Sequence, residues 1–374
     1  MHHRLTGPDG APVVLLSNSL GTTFDMWDKQ LPTLSQHFRV LRYDHRGHGG
    51  SSSPDGPYSI EDLAEDALEL LDHHELERVS FVGLSLGGMV GMWLAAHHAE
   101  RLDRLVLCCT APWFPSEPWV GRAAQVRAAG TASLTEMILG RWFTSRWRAT
   151  NPAVVERFSE MLASASDEGY AKCCEAIATM DLRPDLASIQ TPTLLVFGAD
   201  DPTTTPEIGE SLRRAIAGAG LLVIPHVAHL ANVEQAAAVT NAVMSHLAGD
   251  PMERGLATRR AVLGNAYVDR AFASATELTA PFQEILTRFA WGDVWSRPSL
   301  PIETRRLVTI AVLAALGRRE ELDLHVRAAL TAGLDGELLR EALLQTAVYA
   351  GMPAANTAFA ITARAIADIA RADG

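Results

Sequence analysis

The stretch Val79-Ser-Phe-Val-Gly-Leu-Ser-Leu-Gly-Gly-Met-Val90 restricts the possible folds more than any other part of the chain. Val79–Val82 has the apolar run of a short buried strand, and Met89, Val90, Trp93 and Leu94 then recur at helical spacing. Only Gly83-Leu84-Ser85-Leu86-Gly87 separates the two patterns in earnest. A strand that turns so abruptly into a helix holds its central residue in strained backbone geometry and needs small neighbours on both sides. Gly83 and Gly87 meet that need, and Gly88 lets the helix pack close to the strand. The expected outcome is a parallel sheet with Ser85 Oγ raised at its C-terminal edge, just ahead of a helix N-terminus. A plain strand-to-helix turn is the competing reading. The strand before and the helix after favour a nucleophilic serine.

Upstream, Pro12–Ser17 reads as a buried strand that runs into Asn18-Ser-Leu-Gly-Thr22. A serine in such a turn needs two N–H donors for the oxyanion, one from the next residue and one from the loop after the early strand. Leu86 and Leu20 are the candidates. Downstream, the strand Thr193–Phe197 ends in Gly198-Ala-Asp-Asp201, and Gly220–Ile224 leads into Pro225-His-Val-Ala-His229. The chain order Ser…Asp…His is that of the α/β-hydrolases. The spacing leaves Asp200 or Asp201 open as the acid and His226 or His229 as the base, with Glu234 a further conceivable acid. The fold expected is an α/β-hydrolase: a doubly wound, mostly parallel sheet with a helical cap.

Other segments fit that frame. Phe38–Tyr43 and Leu102–Thr110 read as strands, and Ile60–His73 as an amphipathic helix capped by Ser59. Asp44-His45-Arg46, in a loop rich in Gly and His, is expected to form a buried polar network that pins the loop. From Ala111 to about Leu186 the strand rhythm stops, with helical periodicity over Val120–Arg141 and Asn151–Ala165. Trp113, Phe114, Trp119, Trp142, Phe143 and Trp147 lie in this expected cap, with Arg122, Arg127, Arg141, Arg146 and Arg148 nearby. Arginines facing a pocket suit carboxylate ligands. Trp142 and Arg122 are therefore substrate-binding candidates, although solvation is the ordinary fate of any single arginine. Glu234–Leu247 reads as a closing helix.

At 374 residues the chain exceeds one typical core, and its charge is uneven. Residues 1–250 carry 18 Lys+Arg against 30 Asp+Glu, whereas residues 251–374 carry 14 of each. The shift supports an α/β domain at 1–248 (cap about 111–186), a linker at 249–253 and a second domain at 254–374. Neither part is basic, which argues against a nucleic-acid partner. No apolar run approaches the ~20 residues of a membrane helix, and Met1–Gly7 has no signal core, so no membrane and a cytoplasmic location are expected. Cys108-Cys109 and Cys173-Cys174 lack metal or redox spacing; no metal or cofactor is expected.

After Glu253 strands vanish and five or six amphipathic helices follow, including Glu303–Leu316, Glu320–Ala332, Gly336–Tyr349 and Pro353–Ile369. They carry more apolar surface than one small bundle buries, so a homo-oligomer through this region is expected.

Two family resemblances sharpen these readings. Residues 1–247 resemble the 3-oxoadipate enol-lactonases through Leu16-Ser-Asn-Ser-Leu-Gly-Thr22, Met26-Trp-Asp28, Tyr43-Asp-His-Arg-Gly-His-Gly49, Gly83–Gly88 and Ala228-His-Leu-Ala-Asn-Val-Glu-Gln235. The family's G-x-x-D pattern selects Asp201, and its Ala-His-Leu selects His229. Leu300–Ile310, Leu322–Leu330 and Val348–Asn356 resemble the 4-carboxymuconolactone decarboxylases, relatives of the small alkylhydroperoxidases. Those peroxidases carry C-x-x-C-x-x-H. Here the histidine matches as His325, but Arg319 and Leu322 stand at the cysteine positions, which removes peroxidase chemistry.

The resemblances imply a bifunctional enzyme of aromatic catabolism, in the protocatechuate branch of the 3-oxoadipate pathway, acting on small anionic lactones without a cofactor. On the implied substrate, loss of CO2 leaves a dienolate that must be stabilised and protonated at carbon. His325 and Glu303 are the candidates for that proton traffic and Arg306 for holding a carboxylate. A helix-capping role competes for Glu303, a surface ion pair for Arg306. The rival view of the whole chain is a generic ester hydrolase fused to a non-catalytic helical module.

Overall fold

The computed structural model describes residues 1–297 and 300–372; the last two residues of the second expected domain lie outside that set. The chain divides into two compact units, Met1–Leu247 and a second that begins at Ala248. Helix Pro251–Leu263 starts within the stretch expected as linker. Asp250 caps it, Oδ1 accepting the Met252 N–H at 2.9 Å, and Pro251 occupies the first turn, where a missing N–H costs nothing.

The first unit is built on seven strands: β1 (His3–Thr6), β2 (Val13–Ser17), β3 (Arg39–Tyr43), β4 (Val79–Leu84), β5 (Leu102–Cys108), β6 (Thr193–Gly198) and β7 (Gly220–Ile224). They lie in the order β1-β3-β2-β4-β5-β6-β7. Every neighbouring pair is parallel except β1 with β3. Strands β2 and β4 occupy the middle, and every residue of both is buried, as a sheet covered on both faces requires. The edge strand β1 was not expected: four residues, one exposed and none fully buried, carry too weak an alternation to be seen in sequence.

The helix after β3 is Ile60–His73, with the Ser59 hydroxyl and the Asp62 carboxylate forming a reciprocal capping box. Between β5 and β6 the chain makes the expected helical insertion. The periodicity over Val120–Arg141 is broken in two, because Gly130 adopts φ +74° and ends helix Ser116–Ala129 before Thr135–Trp142 begins. A further helix, Asp167–Thr179, buries Tyr170, Cys173, Cys174 and Ile177 at helical spacing, with Gly169 and Lys172 buried beside them. The closing helix is also split, into Ala231–Glu234 and Ala236–Leu247, at the non-helical Gln235.

The second unit is all helical among the described residues. It has seven helical runs where five or six were expected, counting Ala280–Ile285 and the π-helix Leu286–Trp295 that continues it as one. Ile310, Ala314, Leu322, Val326, Leu339, Leu343 and Ile361 form its core. No described helix is long and apolar enough to cross a membrane.

Candidate active site

The turn after β4 has the strain its sequence implies. Ser85 sits at φ +57°, ψ −112°, and helix Leu86–His97 begins at the next residue. A Cβ on Gly83 would come within 2.1 Å of the Gly87 carbonyl oxygen, and one on Gly87 within 2.3 Å of that of Ser17. The turn therefore closes only with glycine on both sides.

Facing it, the loop after β2 is held by bonds from several directions. Asn18 donates to the Tyr43 carbonyl at 2.6 Å and accepts the Trp27 indole N–H at 3.1 Å, while its own carbonyl accepts the Gly87 N–H at 2.9 Å. His48 Nε2 accepts the Gly21 N–H at 3.0 Å, and its Nδ1–H donates to the Arg46 carbonyl. His45 Nε2–H donates to the Asn18 carbonyl at 3.1 Å. Burial above all pushes the His45 imidazole down to about 3 and lowers that of His48 as well. Asp44, His45 and Arg46 each pin the loop, but not through one another: Asp44 accepts the N–H groups of Phe24 and Gly50, and Arg46 pairs with Asp66. Among the described residues, the N–H groups of Leu20 and Leu86 have no protein acceptor.

Of the two possible acids and two possible bases, one of each is brought together. Asp201 and His229 are 3% and 5% exposed, and His229 Nδ1 lies 2.7 Å from Asp201 Oδ2. Asp200 and His226 are exposed. The other Asp201 oxygen accepts the N–H groups of Thr203 at 2.8 Å and Thr204 at 3.1 Å, and the Thr204 hydroxyl donates to Oδ2 at 2.5 Å. Burial alone would raise the Asp201 carboxyl; His229 and these donors hold it below its ordinary value. An ionised Asp201 fixes the proton on His229 Nδ1 and leaves Nε2 with a lone pair able to accept one.

Glu234 has a different place from that of a triad acid. It is buried, and it accepts the Ala228 N–H at 3.0 Å and both the N–H and hydroxyl of Thr144. It thus clamps the insertion to the residue before His229. Two backbone bonds extend the clamp, His229 N–H to the Arg141 carbonyl at 3.4 Å and Leu230 N–H to that of Trp142 at 3.0 Å.

One pocket contains Ser85, His229 and Leu20 below and Arg122, Arg141 and Trp142 from the insertion above. Arg122 stacks on Trp119 at 4.3 Å, and burial together with Arg122 lowers the pKa of Arg141. Two guanidiniums facing one cavity without an acid between them favour an anionic guest. Arg127 and Arg148 are instead committed to Glu168, Glu175 and Glu136.

In the second unit His325, on helix Arg319–Thr331, is half-buried rather than fully enclosed. Its ring stacks near those of Trp291 (6.3 Å between centroids, 9°) and Trp295 (6.1 Å, 24°). Burial first and the Arg306 cation second push its pKa down to about 4, with Glu321 opposing. Arg306 is buried and donates to the Val262 and Ala261 carbonyls at the end of helix Pro251–Leu263. No described carboxylate pairs with it, so the surface ion pair that competed for this residue does not form. Glu303 is exposed in the first turn of helix Ile302–Ala315 and makes no hydrogen bond to His325.

Residues 12–236 match the family described as alpha/beta hydrolase fold, and residues 280–364 the carboxymuconolactone decarboxylase family. A 3-oxoadipate enol-lactonase of Acinetobacter baylyi is 40% identical over 244 residues, which are 65% of this chain and 91% of that protein. A 4-carboxymuconolactone decarboxylase of the same organism is 44% identical over 117 residues, 31% of this chain and 87% of that protein. The chain belongs to the alpha/beta hydrolase fold and carboxymuconolactone decarboxylase families, joined in series. The crystal structure of the enol-lactonase from Burkholderia xenovorans LB400 matches the hydrolase unit at TM-score 0.65 and 44% identity, covering 66% of this chain and 95% of that one.

Within the hydrolase unit, sequence reasoning did not single out Arg141 or Thr204. Arg141 was one of several arginines in the insertion with nothing to distinguish it, and Thr204 gains its contact only from the loop's curl. In the decarboxylase-family unit it passed over Trp291 and Trp295. Their i, i+4 spacing just before the Leu300 motif was the available signal.

Proposed function

We propose that the protein decarboxylates 4-carboxymuconolactone to 3-oxoadipate enol-lactone in its second unit and hydrolyses that enol-lactone to 3-oxoadipate in its first. The observation that carries the reading is the pairing in one chain of near-complete matches to an enol-lactonase and to a 4-carboxymuconolactone decarboxylase. The second of these disfavours a non-catalytic helical module.

For hydrolysis, Ser85 Oγ attacks the lactone carbonyl while His229 Nε2 takes its proton. The Leu20 and Leu86 N–H groups, free of protein acceptors, receive the oxyanion. Collapse opens the ring, and the leaving enolate oxygen takes the proton from His229. Water, activated by the same imidazole, then releases the acyl group, and the enol becomes the ketone. Arg122 and Arg141, with Trp142 beside them, hold the side-chain carboxylate.

For decarboxylation, the bond from the γ carbon to its carboxylate breaks, and the electron pair moves through the ring double bond onto the lactone oxygen. The α carbon of the dienolate then accepts a proton. Arg306, buried without a counter-ion, holds a substrate carboxylate. His325 is neutral before substrate arrives. The two carboxylates reverse the sign of its surroundings and raise its pKa, so the dianion itself loads the donor. Glu303 serves as an alternative donor only if the helix bearing it is covered by another copy of the chain.

Such covering is part of the proposal. Val308, Val312 and Tyr349 line an apolar groove between helices Ile302–Ala315 and Gly336–Ala350, with Tyr349 82% exposed. The decarboxylase unit is accordingly the oligomer interface, and a catabolic enzyme of this kind works in the cytoplasm. The test is to supply purified protein with 4-carboxymuconolactone and no added cofactor. Release of CO2 and formation of 3-oxoadipate are expected, and an unchanged substrate spectrum would overturn the reading.

A further inference from the structure

We propose that His3, His73 and His74 form a binding site for a divalent transition metal ion of the zinc or nickel class, on the hydrolase unit and outside its catalytic pocket. His3 lies on the edge strand β1, His73 is the last residue of helix Ile60–His73, and His74 is its C-cap. One ring nitrogen from each lies within 4.8 Å of the others, the one such group of three His, Cys, Asp or Glu among the described residues. The ring centroids are 4.9 to 5.8 Å apart, each pair edge to face.

The protonation pattern suits a metal better than it suits a mere stack. His3 Nδ1 lies 2.9 Å from the Met1 carbonyl. A carbonyl can only accept, so Nδ1 carries the proton and Nε2 keeps its lone pair. That is the arrangement in which an outer carbonyl orients a ligating imidazole. His74 Nε2 is buried with no hydrogen-bond partner, a cost that a ligand would relieve.

Imidazole nitrogen selects zinc, nickel and copper over magnesium or calcium, which prefer oxygen. Bonds of about 2.0–2.1 Å in a tetrahedron set donors roughly 3.4 Å apart, so the rings must close by about an ångström. His73 is exposed and free to move in. The helix C-terminus adds partial negative charge, and Glu69, one turn back, lines the same depression. Arg39 opposes the cation. An ion held here would staple the short edge strand β1 to the helix.

Titration calorimetry of the full chain with Zn2+ and with Ni2+ tests this, with Mg2+ alongside and differential scanning calorimetry of the same samples. One equivalent should bind, raising the melting temperature of the hydrolase unit reversibly to chelator, and Mg2+ should do neither. His74→Gln and, separately, the exposed His73→Gln should weaken binding about tenfold or more. His97→Gln, at another exposed histidine, should not. Absence of Zn2+ and Ni2+ binding would overturn the proposal. So would unchanged binding in a folded His73→Gln variant, which would place the ion elsewhere.

Discussion

Glu234 accepts the backbone N–H of Ala228 at 3.0 Å with one oxygen while the other holds Thr144 of the cap. One buried carboxylate therefore fixes both the loop that aims His229 and the helices that bring Arg141 and Trp142 over Ser85. Glu234→Gln replaces one acceptor oxygen with a donor and should destabilise the hydrolase unit by about 1–3 kcal/mol. The enol-lactone KM should rise more than kcat falls, since the cap and not the triad is loosened. A loss confined to kcat, read from steady-state kinetics, would show that Glu234 acts on the base instead.

Asp201 and Asp200 are neighbours with opposite fates, one buried against His229 and the other exposed. Asp201→Asn should cut lactonase kcat by on the order of a thousandfold or more by losing the tautomer partner of the imidazole. Asp200→Asn should leave it within about twofold. Equal, mild effects would mean that neither carboxylate orients the base.

A pH dependence follows from His45 and His48. In the unfolded chain a histidine titrates near 6.5, whereas burial holds His45 near 3 and depresses His48 in the fold. Below pH 6.5 the unfolded chain takes up protons that the folded one refuses, so stability must fall as pH drops through that window. The slope is at most about 1.4 kcal/mol per pH unit for each group. The Asp201 carboxyl, lowered rather than raised, adds nothing until the pH nears the ordinary carboxylate range. Urea midpoints of the hydrolase unit at pH 7.5 and 5.0 measure the loss, and His45→Gln should flatten it. Midpoints that coincide in the parent protein would contradict this origin.

Much of this architecture was legible because the decisive constraints are local. The turn at Ser85 is dictated by glycines two residues to either side, and the box at Ser59 and Asp62 by four consecutive residues. What escaped was tertiary. Glu234 read as the start of a helix because Thr144, its partner, is 90 residues away. His3 and His73-His74 meet only because β1 returns antiparallel along β3. The helix Asp167–Thr179 also buries Lys172, whose ammonium donates at 2.8 Å to the carbonyl of Pro54, a partner 118 residues away that no local pattern reveals.

His325→Gln keeps approximate size and a hydrogen-bond donor but cannot take up the proton. Decarboxylation should slow by about a hundredfold or more, with enol-lactone hydrolysis unchanged. Single-turnover assays on both substrates, with matching circular dichroism and oligomer size, read the difference. A parental decarboxylation rate would make the histidine structural and turn attention to Glu303.

The central claim is that two separate sites act in sequence on one substrate, and Ser85→Ala tests it most directly. Given 4-carboxymuconolactone, the variant should release CO2 at nearly the parental rate and accumulate 3-oxoadipate enol-lactone instead of 3-oxoadipate. Loss of CO2 release to the same extent as lactone hydrolysis, in a variant that folds as the parent does, would contradict the account.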